Sequence, residues 1–151
     1  MAEHVTLLVP LDGSAMAERA LPEAAALGKA LAAEVILLQV VVPATDVIRS
    51  GTMTIAADEV SASQRQEALR YLNGVRTKPL FAGMRVTAAA ELGSPAETIL
   101  DFARAHDVGR IVMTTHGRTG ISRWVFGSVA EKVLEAADRT VVLVRSQIGA
   151  A

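Results

Sequence analysis

The sequence predicts an α/β fold: a doubly wound, five-stranded parallel sheet with helices on both faces. Three observations lead there. Apolar runs of strand length alternate with longer helical patterns along the chain. Those runs are apolar almost throughout instead of alternating with polar residues, as expected for strands buried on both faces. Finally, 51% of the 151 residues are hydrophobic and only 3% aromatic, so Ala, Val, Leu and Ile must fill the core. The elements run β-α-β-α-β-α-β-α-β, and right-handed crossovers wind such a string into a doubly wound sheet.

Val5 to Leu11 forms the first strand, and Asp12-Gly13-Ser14 ends it with turn chemistry and an N-cap candidate. A helix follows over Ala15 to Ala33, where Leu21, Ala24, Ala25, Gly28 and Leu31 recur at near-helical spacing and Pro22 is expected to bend it. Glu34 to Val42 is the second strand, closed by Pro43. Ala44 to Ala56 lacks periodicity and reads as a connection over the end of the sheet. A second helix starts near Ala57, with Ala68, Leu72 and Val75 on one face and irregular last turns at Gly74 and Pro79. Arg85 to Glu91 is the third strand, and Gly93-Ser94-Pro95 supplies a turn, an N-cap and a first helical position where the missing N–H of proline costs little. Ala96, Ile99, Leu100 and Ala103 then form an apolar helical stripe. Arg110 to Thr115 is the fourth strand. After a twelve-residue loop, the helix Ser128 to Ala137 buries Val129, Val133 and Leu134, and Thr140 to Val144 is the fifth strand.

A chain of this length is expected to form one domain over residues 1–151. Fifteen Lys and Arg against sixteen Asp and Glu leave a formal charge of −1, so no bulk electrostatic attraction to nucleic acid or an anionic membrane is available. The absence of Cys excludes disulfides, thiolate catalysis, zinc ribbons and iron–sulfur ligation. Val5 to Leu11 is too short for a signal h-region, and Val35 to Thr45 is about half of the ~20 residues a bilayer span needs. A soluble, cytoplasmic protein is expected.

Ligands of doubly wound sheets bind beyond the carboxyl ends of the strands, near the point where strand order reverses. The segment there with the most chemistry runs from Met113 to Ser128. Gly117 and Gly120 permit positive φ and close approach of a ligand, while Gly127-Ser128 places backbone N–H groups and a hydroxyl at a helix N-terminus, which suits a phosphate. Arg118 and Arg123 can add charge-assisted contacts. The plainer alternative is an ordinary strand-to-helix turn with a capping Ser128.

The whole spacing resembles the nucleotide-binding loop of the universal stress protein family, G-x2-G-x9-G-[S/T]: Gly117, nine residues, then Gly127-Ser128. Thr114 stands where that pattern has its first glycine, adding a branched side chain and a stiffer backbone beside the nucleotide. Val9 to Ser14, Leu38-Gln39-Val40 (the family's usual Leu-His-Val), Gly93-Ser94-Pro95-Ala96 and Thr140 to Arg145 are similar to other family segments. The resemblance implies an adenine nucleotide alpha hydrolase-like fold, with strand order 3-2-1-4-5, and an ATP site. In that site Pro10, Leu11 and Asp12 border base and ribose, and Val40 packs on adenine. Met113, Thr114, Thr115, His116, Gly117, Arg118, Thr119 and Gly120 wrap the nucleotide, and Gly127, Ser128, Val129 and Ala130 cradle its phosphates, with Mg2+ carried by the nucleotide. It further implies a homodimer paired through Val141, Val142, Leu143 and Val144; the alternative is an edge strand covered by its own helices.

Asp12 can accept ribose hydroxyls or serve its own turn, and His116 can approach phosphate or be structural. Arg123 and Trp124 can form a lid or lie on the surface. Three functions remain open: an ATP-binding regulatory module signalling stress through partners, a nucleotide-independent interaction protein, and a slow ATPase. For hydrolysis, Asp12 and Glu131 are the nearby carboxylates. A receiver domain is excluded because the strand ends offer Asp12, Glu91 and Arg145 instead of an acidic cluster, Asp and Lys. Walker A, G-x-G-x-x-G after strand one, and the H-x-G-H of adenylyl-transferring enzymes are all absent.

Overall fold

The computed structural model describes residues 4–43, 54–116 and 127–145. Five parallel strands, β1 (Thr6–Leu11), β2 (Glu34–Val41), β3 (Val86–Leu92), β4 (Arg110–Thr114) and β5 (Thr140–Val144), form one sheet of order β3-β2-β1-β4-β5. This is the order that the family resemblance implies. The chain runs outward from β1 to β3 and then returns to β4, so strand order reverses between β1 and β4.

Side-chain alternation along each strand divides the core in two. Leu7, Val9, Leu11, Val35 and Leu37 pack with Ala24 and Ala25 of α1 (Leu21–Leu31) and Leu72 and Val75 of α2 (Thr54–Arg76). Leu8, Ile36, Leu38, Ile111 and Met113 pack on the other face with Ile99 and Ala103 of α3 (Pro95–Ala105) and Ala130 and Val133 of α4 (Ser128–Ala136). Aliphatic side chains dominate both clusters, as the composition requires.

Several local expectations change. Pro22 does not bend a long helix: a short 3-10 turn at Ala17–Ala20 leads into α1, and Pro22 occupies the first turn, where no intrahelical bond needs its N–H. The second helix begins at Thr54, ahead of the expected Ala57. Leu134 is exposed instead of buried, because with Ala130 and Val133 facing the sheet the next residue rotates onto the flank of α4. Ser94 holds the N-cap position of α3 without a side-chain cap, and its carbonyl accepts the Thr98 N–H at 2.9 Å. No helix among the described residues is long and apolar enough to cross a membrane.

Candidate functional site

At the end of β1 the chain must turn out of the sheet, and Gly13 makes that turn at φ 84°, a conformation few other residues adopt. Asp12 Oδ1 accepts the Ser14 N–H at 2.9 Å and also the Ser14 hydroxyl, while Ser14 Oγ accepts the Ala17 N–H at 3.1 Å. Asp12 therefore has the turn role foreseen for it and still fronts the space beyond the strand.

At the end of β4, the Thr114 hydroxyl donates to the His116 carbonyl at 2.7 Å and the Thr115 N–H to the Val144 carbonyl at 3.0 Å. Gly127 N–H donates to the Thr115 carbonyl at 2.7 Å, which joins the start of α4 to the end of β4. Within α4 the first intrahelical bond runs from the Glu131 N–H to the Gly127 carbonyl at 3.0 Å. The N–H groups of Ser128, Val129 and Ala130 precede it and give the helix its positive end.

These strand ends enclose a cleft of about 810 Å³ at the carboxyl edge of the sheet. Pro10, Leu11, Asp12, Val40, Met113, Thr114, Thr115, Gly127, Ser128, Val129 and Ala130 all line it. His116 is buried beside the Thr115 hydroxyl and is not among the lining residues. Gly117, Arg118, Thr119, Gly120, Arg123 and Trp124 lie outside the described residues.

The opposite wall is not announced by any motif. Gln64, Glu67, Ala68 and Tyr71 of α2 line the cleft, with Gln39 and Val41 of β2 beneath them. Their i, i+3, i+4, i+7 spacing is one helix face, the signal by which they are readable once α2 is known to lie over β2. The Tyr71 hydroxyl donates to Glu18 Oε2 at 2.9 Å, and Lys78 Nζ donates to Glu18 Oε1 at 2.8 Å. Hydrogen bonding from Lys78, helped by Tyr71, holds the Glu18 carboxyl below its ordinary range against a smaller effect of burial. Burial first, and Glu18 second, push the Tyr71 hydroxyl up. Tyr71 thus remains a neutral donor committed to Glu18.

The walls differ in character. Among the described lining residues Asp12 and Glu67 carry charge, and no Lys, Arg or His appears. Attraction for an anion is concentrated in the backbone at the start of α4. Among the described residues no three His, Asp or Glu side chains converge to hold a metal ion.

Comparison with known proteins agrees with this architecture. The model of the universal stress protein family matches residues 5–145. Universal stress protein YxiE of Bacillus subtilis is 31% identical over 144 residues, spanning 92% of this chain and 97% of the relative. The solved structure of MJ0577, a universal stress protein of Methanocaldococcus jannaschii, is similar with a TM-score of 0.84 at 27% identity, covering 97% of this chain and 99% of that one. The universal stress protein from Archaeoglobus fulgidus in complex with dAMP shares the fold, with a TM-score of 0.58 at 22% identity over 95% of this chain and 98% of that one.

Proposed function

Because the chain belongs to the universal stress protein family, we propose that it is a cytoplasmic, adenine-nucleotide-binding regulatory module that takes ATP and signals stress as a homodimer. The observation that carries this reading is the cleft. It gathers Pro10 to Asp12, Val40, Met113 and Gly127 to Ala130 from four separate segments of the chain, with backbone donors at one end and apolar side chains beside them. The Archaeoglobus fulgidus protein of the same fold was solved with dAMP, which supports an adenine nucleotide as the ligand class.

In this reading the N–H groups of Ser128, Val129 and Ala130 take phosphate oxygens, Asp12 accepts a ribose hydroxyl, and Pro10, Val40 and Met113 offer apolar surface to the base. Mg2+ arrives with the phosphates, which supply most of its oxygen ligands. Isothermal titration of nucleotide-free protein with MgATP tests the proposal. Saturable heat is expected, and no heat at millimolar ligand overturns it.

Thr114 favours a second reading, a nucleotide-independent interaction protein of the same family. Its branched side chain occupies the cleft wall where the family's loop has glycine, and its hydroxyl is spent on the His116 carbonyl. Titration of Thr114→Gly separates the two: ATP binding gained by the variant and missing in the parent identifies a degenerated site.

A further inference from the structure

We propose that the side chain of Gln39 is the specificity-determining group of the cleft, accepting an N–H from an exocyclic amine of the bound base. The inference deepens the nucleotide reading and rests on it.

Gln39 lies near the carboxyl end of β2, between its register partners Leu11 of β1 and Ala90 of β3. Two residues away on the same strand face stand Leu37 and Val41, both buried. None of these four has a side chain that can form a hydrogen bond. Gln39 lines the cleft, yet its Oε1 is buried and has no hydrogen-bond partner among the described residues. Such carbonyls are rare in folded proteins because desolvation without a donor is unfavourable, and those that persist call for a specific account.

Among the described residues none donates to it. Of the α2 residues over this part of the cleft, Tyr71 gives its hydroxyl to Glu18, Ala68 is apolar, Glu67 carries a carboxylate, and Gln64 has an amide donor that is not bonded to Gln39 Oε1. No Lys or Arg lines the cleft among the described residues. The cleft thus has backbone donors at the start of α4 and an unmet acceptor, Gln39 Oε1, on β2. A matching ligand is anionic at one end and carries an N–H donor at the other, as an aminopurine nucleotide does. A glutamine amide presents acceptor and donor side by side, the arrangement that pairs with N6 and N7 of adenine. Val40, the next residue, also lines the cleft but from the opposite face of the strand, so a ligand that meets both sits across the carboxyl end of β2.

The test compares MgATP with purine riboside 5′-triphosphate, which lacks the 6-amino group, on the full chain and on Gln39→Met. The parent is expected to bind ATP about tenfold more tightly, the scale of one hydrogen bond. In Gln39→Met the ratio should fall to about one, through loss of ATP affinity with the affinity for the amine-free analogue kept. Ligand-free Gln39→Met is expected to melt at or above the parent temperature, since an unsatisfied carbonyl is removed. A large drop would mean that the protein itself holds the amide, and overturns the inference. A parent that binds both ligands equally, or a variant that keeps the parent ratio, overturns this inference and leaves nucleotide binding standing. A parent that binds neither removes both.

Discussion

Glu18 ties together parts of the chain far apart in sequence, accepting from Tyr71 on α2 and from Lys78 beyond it. Because its carboxyl is held below the ordinary value of 4.5, its stabilising effect is complete above 4.5 and is lost as pH falls through the lower folded-state value. With Lys78 nearly half exposed, that effect is about 0.5–1 kcal/mol at neutral pH. Glu18→Gln should melt lower than the parent at neutral pH, and the gap should close as a melting series is carried to acid. Tyr71 acts at the other limit: its hydroxyl is raised from 10.0, so its contribution is present below 10.0 and declines as pH rises beyond it. Gly93 has a different constraint. Its φ is 155°, and a Cβ there would lie 2.3 Å from Thr98 Oγ1. Gly93→Ala is expected to cost about 1–3 kcal/mol in urea denaturation, with Thr98→Ala recovering the part due to contact and leaving the backbone part. Residues of this kind differ in how far a sequence exposes them. The turn role of Asp12 is legible because its partner Ser14 is two positions away. The isolation of the Gln39 amide is not, because it depends on Leu11 and Ala90, brought alongside by pairing.

The helices owe their ends to contacts that cross between elements. Arg139, just before β5, donates through Nη1 to the Ala103 carbonyl at 2.9 Å and the Val108 carbonyl at 2.7 Å, closing the carboxyl end of α3 and the turn after it. Arg139→Ala should lower stability by about 1–3 kcal/mol in denaturant titration, and Arg139→Lys should recover only part, since an ammonium lacks the planar fork. Strands were the most legible elements: a run apolar on both faces leaves no competing periodicity, and all five fall within one residue of their expected ends. Helix α2 was the least legible. Its apolar face at Ala68, Leu72 and Val75 is visible in the sequence, but its start at Thr54 follows an aperiodic stretch. Its contribution of Gln64, Glu67 and Tyr71 to the cleft depends on how a long crossover settles over β2.

For the molecule as a whole, the doubly wound sheet was legible because a β-α-β alternation with right-handed crossovers leaves few alternatives, while its strand order was legible through the family's motifs. The proposed dimer makes a sharper demand on β5. The Thr115 N–H bond to the Val144 carbonyl shows that Val144, and with it Val142, directs backbone groups at β4, so Val141 and Leu143 direct theirs outward. Val141→Pro removes an outward N–H and spares the pairing with β4. Sedimentation should show the variant as a monomer with an unchanged far-ultraviolet spectrum, and a dimer that persists excludes pairing through this edge. The cleft itself spans the chain in another sense: its walls run from Pro10 near the amino end to Ala130 in α4. A nascent polypeptide has no such cavity until α4 has left the ribosome and docked. Occupancy therefore requires a chain folded from β1 through α4, and a bound ligand would protect all of those elements from proteolysis instead of any one lobe.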